Sequence, residues 1–333
     1  MKNLVASIII YSDIHLCSKA YGAHKNYPEE SLEYFRAITR VAEERNASHI
    51  MGLGDFTFGR FHTLEYRRAV EDELEKQYRI CNGNRYELKG NHDQATYGMT
   101  EYEYYIEKGL IKPSTKLKIG NLNISMVDYI DIKKDNFFET EKTDVLIGNS
   151  DTDINVIISH NFLKFKDTLI ANYGKAIELD NLHKWHGADY IICGHVHKHH
   201  IFDGSILNKD GTKAHKATVH YLGCMTRPAY REGLMDEKGY ILNLRLFDDG
   251  SMQYDVVEIP LWDIADSFNL EVKQKEKKIK EEKQSRIDIS DIVKQLNSHE
   301  RNVGNPEDII SAMVGVDEKY KEKAIKLLKE AQG

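Results

Sequence analysis

The sequence predicts an α/β protein, a layered sandwich whose second sheet is partly antiparallel. Three patterns carry that expectation. Short apolar, β-branched runs recur and each ends in a polar cluster; helical periodicity fills the gaps between the first of them; and two late strand-like runs are joined by a turn.

Residues 4–11 (LVASIIIY) form the first run. Asp13 and His15 follow at once and no small-residue cleavage site appears, so it reads as a buried strand and not as an export signal. Residues 28–46 open on Pro28, which suits a first helical turn because its missing N–H would go unbonded there. Leu32, Phe35, Ile38 and Val41 then recur about a turn apart and make one apolar face. Residues 48–53 are a second strand, 63–79 a charged helix and 85–89 a third strand. Further strands are expected at 122–129, 154–159, 188–193 and 217–223. Residues 239–248 and 251–259 read as a hairpin closed by Asp248-Asp249-Gly250.

Composition breaks after Trp262. Residues 271–284 carry ten charges in fourteen positions, and helical spacing resumes at 287–296 and again near 317–331. The expected organisation is therefore a domain over 1–262 and a charged helical tail over 263–333. The tail holds 14 basic and 14 acidic residues over 266–333, so it is not a basic arm for nucleic acid.

The 333 residues are 41% apolar and 30% charged, enough to bury a core, which excludes global disorder. With 46 basic and 53 acidic residues the net charge is −7, which excludes a surface coated in basic charge. No run has the length of a membrane-spanning helix. The four cysteines form no C-x-x-C pair and read as free thiols of a reducing compartment, hence a cytoplasmic protein. Fifteen histidines against four cysteines point to a metal site instead of a disulfide frame.

Five polar clusters follow predicted strands: Asp13-Ile14-His15, Gly54-Asp55, Gly90-Asn91-His92-Asp93, Ser159-His160-Asn161 and Gly194-His195-Val196-His197. Sites in open α/β sheets assemble at the carboxyl ends of strands. Residues two apart on an extended segment point the same way, so Asp13 and His15 can converge on one ion, as can His195 and His197. Imidazole, carboxylate and amide donors together suit manganese, iron or zinc better than calcium. An aspartate such as Asp55 has two oxygens with which to bridge two cations.

Taken in order, D-x-H, G-D, G-N-H-D, H and G-H-x-H resemble the signature of the calcineurin-like metallophosphoesterases. The resemblance implies a four-layer α/β/β/α sandwich with a two-metal centre that hydrolyses phosphoesters. By matching position, Asp13, His15, Asp55 and His197 would hold one metal, and Asp55, Asn91, His160 and His195 the other. His92 would be the acid beside the scissile bond, with Asp93 hydrogen-bonded to its imidazole. The metals implied are two divalent ions, manganese foremost, with iron or zinc as alternatives.

Residues 221–239 (YLGCMTRPAYREGLMDEKG), with YSDIHL and GNHD, resemble the SbcD-type DNA repair nucleases. That implies a DNA substrate, an SMC-like coiled-coil ATPase partner docking on the tail, and a bacterial or phage-infected cytoplasm; a second copy of the chain is a further candidate partner. Two departures stand out. Phe58 replaces a histidine that some relatives carry, and about 70 residues follow Ile259, too few for the usual capping domain plus partner-binding helices. A reduced, phage-borne version accommodates both. The rival reading is a phosphatase or phosphodiesterase acting on a small nucleotide or phosphoester.

Arg60 and His62 could reach a phosphate, Arg227 a nucleic-acid backbone, and Tyr97, Tyr102, Tyr104 and Tyr105 could stack on bases. The remaining histidines are expected at the surface or around the ligands.

Overall fold

The computed structural model describes residues 2–19, 24–59, 61, 63–94, 98–148, 150–168, 176–227 and 238–272, with single positions beyond. Its contacts divide the chain into two compact units, Met1–Phe268 and Asn269–Gly333. Arg60, His62, Tyr97 and the predicted helix at 287–296 lie outside the described residues, as does most of that at 317–331.

The first unit is two stacked sheets. Strand β1 (Leu4–Tyr11) runs parallel to β2 (His49–Gly52), and β2 runs parallel to β3 (Arg85–Glu87). Helix α1 (Tyr27–Glu44) connects β1 to β2, and α2 (Leu64–Ile80) connects β2 to β3. Side chains alternate along β1 with period two. Ile9 and Tyr11 pack with Leu32, Phe35 and Ile38 of α1 and with Val70 and Leu74 of α2. Ile8 and Ile10 point the other way, into the seam between the sheets. A strand buried on both faces must read as one continuous apolar run, which is why residues 4–11 stand out in the sequence.

Helix α3 (Glu101–Glu107) begins with a capping box: the Thr100 side chain accepts the Glu103 N–H while the Glu103 carboxylate accepts the Thr100 N–H. The second sheet contains β4 (Lys116–Ile119), β5 (Leu122–Val127) and β6 (Ile154–Ser159). After a two-residue pair, β7 (Leu163–Lys164) and β8 (Ile177–Glu178), it continues with β9 (Tyr190–Cys193), β10 (His200–Leu207) and β11 (Ala214–Tyr221). Its order is β10-β11-β9-β6-β5-β4, with the central pairs parallel and both edges antiparallel. Strands β12 (Lys238–Phe247) and β13 (Met252–Pro260) form the expected hairpin, and it completes the first sheet as β13-β12-β1-β2-β3.

The seam between the sheets is filled by Ile8, Ile10, Met51 and Leu53 against Ile124, Val156, Ile158 and Ile192. Among the described residues the outer face of the second sheet is covered by 3-10 turns at Glu141–Thr143, Leu179–Asn181 and His183–Trp185. There the fully buried Trp185 donates its indole N–H to the Thr143 carbonyl at 2.8 Å. A short helix, α4 (Ile264–Ser267), ends at Phe268, which packs on the buried His24 at 4.0 Å between ring centres. No described helix is long and apolar enough to cross a membrane.

Two edge strands, β4 and β10, are not foreseen in the sequence. Both are half exposed along their length, so they carry no continuous apolar run.

Candidate metal centre

The carboxyl ends of β1, β2, β3, β6 and β9 gather at one end of the sandwich. Pairing between the first two strands continues past their ends: the Leu53 N–H donates to the Tyr11 carbonyl, and the Asp13 and His15 N–H groups donate to Gly54 and Asp55. This sets the two motifs side by side. Asp13, His15, Asp55 and His195 all have positive φ, 47°, 48°, 51° and 72°, a backbone conformation that is unfavourable for residues with a Cβ. Such strain persists where the surrounding structure holds a side chain in a required direction. The glycines answer close approach: a Cβ on Gly90 would strike the Asp55 backbone and carboxylate, and one on Gly194 would sit 2.8 Å from His160 Nδ1.

Asp13, His15, Asp55 and His197 form one cluster, with a ligating atom from each within 4.8 Å of the others. His15 Nε2 faces His197 Nε2 at 3.2 Å and lies 4.0 Å from Asp13 and 3.8 Å from Asp55. A second group adjoins it. Asn91 Oδ1 lies 3.2 Å from His160 Nε2 and 2.9 Å from His195 Nδ1, and His160 Nε2 lies 3.3 Å from Asp55 Oδ2. Asp55 is therefore common to both groups. The His160 ring is aimed by its other nitrogen, which donates to the Leu53 carbonyl at 2.6 Å.

The donor set fits divalent cations. Asp13, His15 and His160 are wholly buried and Asp55 is 1% exposed. Asp55 Oδ1 accepts the His92 backbone N–H at 2.8 Å, yet Asp55 Oδ2 and His15 Nδ1 are buried with no hydrogen-bond partner. Buried charges need opposite charge nearby. Burial, with the Asp55 charge, pushes Asp13 up to about 7. Burial also works against the Asp55 charge, but His160 and His15 hold its carboxyl well below the usual range. His160 is raised to about 10: burial opposes its charge, and the Asp55 and Asp13 carboxylates outweigh it. Burial, then the neighbouring His160 charge, lowers His195 to about 3. The buried carboxylates of the centre thus draw positive charge toward it.

His92 stands at the mouth of the centre, exposed, its ring 5.2 Å from His15 and packed at 4.7 Å on Phe58. Phe58 also meets His15 edge-on at 5.7 Å, so it packs both imidazoles.

Asp93 does not make the expected bond to the His92 imidazole. Its carboxylate is fully buried and accepts the N–H groups of Phe56, Thr57 and Gly90 and the Thr57 hydroxyl, at 2.9–3.2 Å. It ties the Asp55 turn to the Gly90-Asn91 turn, because those backbone donors have no strand partner there. Tyr102 and Tyr105 are core residues of α3, not base-stacking platforms. Tyr104 packs beside them under Arg67. Arg227 is 5% exposed and donates to the Trp262 carbonyl, so it is not presented to solvent. His220, at 5% exposure, is as buried as His24.

One residue near the centre has no signal in the sequence. Cys224 is buried, and its sulfur lies within 4.8 Å of ligating nitrogens of His15 and His197. All four cysteines are buried and none is in a disulfide.

The family model of calcineurin-like phosphoesterases matches residues 6–199. No curated protein matches the chain. Among solved structures, a dimetal phosphatase from Danio rerio aligns at 13% identity, covering 78% of this chain and 100% of that one, with a TM-score of 0.41. The family match spans more than half of the chain and reaches every strand end that supplies the centre; the chain belongs to the calcineurin-like phosphoesterases and is a phosphoester hydrolase.

Proposed function

We propose that the chain is a metal-dependent nuclease that hydrolyses phosphodiester bonds of DNA. The observation that carries this reading is the place of the segment from Tyr221 to Arg227, which holds the start of the resemblance to SbcD-type nucleases. The segment is bonded to the main chain on either side of Asp13: the Met225 N–H donates to the Ser12 carbonyl, and the Thr226 hydroxyl donates to the Ile14 carbonyl. The exposed His92 agrees, since a phosphate within a polymer must be reached from the surface.

Asp13, His15, Asp55 and His197 would hold one cation and Asp55, Asn91, His160 and His195 a second, the mixed nitrogen and oxygen donors suiting manganese, iron or zinc. Cations held there supply Lewis acidity to the phosphoryl group. His92, as its imidazolium, would donate a ring proton to the departing sugar oxygen and be left neutral. Asp93 fixes the two turns that present Asp55 and Asn91.

In the same reading, residues 263–333 dock on an SMC-like coiled-coil ATPase in a bacterial or phage-infected cytoplasm. Deleting 263–333 is expected to abolish that complex and spare hydrolysis of small esters. The substrate is tested by assaying linear DNA, bis(p-nitrophenyl) phosphate and p-nitrophenyl phosphate in parallel with manganese. Cleavage of both diesters is expected; activity on small esters with none on DNA under any metal would replace this reading with that of a small-ester phosphatase or phosphodiesterase.

A further inference from the structure

We infer that Cys224 is a sulfur ligand of the cation held by His15 and His197, making that position selective for thiophilic metals such as zinc or iron(II). The inference rests on the reading that this cluster holds a cation. Two overlapping donor sets share His15 and His197: one is completed by Asp13 and Asp55, the other by the Cys224 sulfur. His15, which the two sets share, is wholly buried, and its Nδ1 has no hydrogen-bond partner.

The cysteine is held in place by the backbone around it. Its own N–H donates to the His197 carbonyl at 3.3 Å, and its S–H donates to the Asp13 carbonyl at 2.9 Å. Tyr27 clamps the same segment, bonding the His15 carbonyl and the Thr226 hydroxyl, both at 2.9 Å. The sulfur is thus tied to the residues on either side of the cluster. Coordination trades the S–H bond for a sulfur–metal bond and releases one proton to solvent. Soft thiolate favours zinc and iron(II) over manganese, which prefers oxygen.

The test is the absorption spectrum of the full chain loaded with cobalt(II). The unsubstituted protein is expected to show a near-ultraviolet sulfur-to-cobalt charge-transfer band beside the visible d–d bands. Cys224→Ser, which keeps a hydrogen-bond donor for the Asp13 carbonyl, is expected to keep the visible bands and lose the near-ultraviolet one. Its zinc affinity should fall by about tenfold or more while manganese affinity stays within about threefold. Visible bands without the charge-transfer band in the unsubstituted protein, or a band that survives Cys224→Ser, would place the sulfur outside the centre and leave the metal reading standing. Absence of both kinds of band would overturn both.

Discussion

Arg85 and Glu87 form an ion pair 2.8 Å long with neither side chain exposed, and Glu87 also accepts the backbone N–H of Gly54, the residue before Asp55. Tyr11 donates to the same carboxylate at 2.5 Å, and Gln77 accepts from Arg85 at 2.9 Å. Removing one partner of such a pair strands a buried charge. Glu87→Leu is expected to cost about 3–5 kcal/mol. The double variant Arg85→Met/Glu87→Leu should cost less than the sum of the singles. Urea unfolding of the three variants measures this, and additive losses would mean that the pair is not coupled.

Asp93 serves four donors of two turns, so its removal acts through the backbone. Asp93→Ala leaves those donors unbonded at about 1–3 kcal/mol for each buried group. The expected result is a marked drop in melting temperature together with loss of metal stoichiometry. If Asp93→Ala instead keeps its metals and changes only the pH profile of hydrolysis, its role is to orient His92 after all.

For His92→Ala the expectation differs. The ring touches His15 and Phe58, but the bond to Asp55 comes from the His92 backbone N–H, which the variant keeps. Metal content by elemental analysis should stay unchanged while the rate falls by about 10²–10⁴. Turnover at the unsubstituted rate would remove His92 from the proposed chemistry.

Manganese should raise the melting temperature in a concentration-dependent way, since a cation bound only by the folded chain stabilises it by about 2.7 kcal/mol at a hundred times its Kd. Asp55→Asn, which weakens the residue common to both groups, should abolish most of that shift. An equal shift in the variant would show that the metal binds elsewhere.

His220 is lowered to about 4 by burial and then by His199, whose Nε2 lies 2.9 Å away; Tyr254 is its aromatic neighbour at 6.5 Å. A lowered histidine favours its neutral form in the fold, so the unfolded chain takes up the proton first. Stability is therefore complete above the unfolded value near 6.5 and falls as pH drops from there toward 4, by up to about 3 kcal/mol. His220→Gln should flatten that acid limb in unfolding measurements between pH 7 and 4; an unchanged slope would assign the limb to other groups.

The buried strands were legible in the sequence because burial on both faces demands unbroken β-branched runs, as in residues 4–11 and 154–159. The edge strands β4 and β10 were not, since half-exposed strands mix polar with apolar residues. The five clusters were legible for a related reason: each follows a buried run, and metal donors there are chemically conspicuous.

By itself, the sequence determined the two-sheet α/β class, the strand ends that carry the donors and the family to which they belong. The tertiary structure alone decided what surrounds those donors. It gave Asp93 to backbone amides instead of an imidazole, sank Tyr102, Tyr105 and Arg227 into the interior, and set Cys224 beside His15 and His197. The physical reason is distance along the chain. Strand periodicity and motif spacing are local and can be read in one dimension. A thiol 209 residues from the histidine it approaches (224 − 15) is placed only by the packing of both sheets.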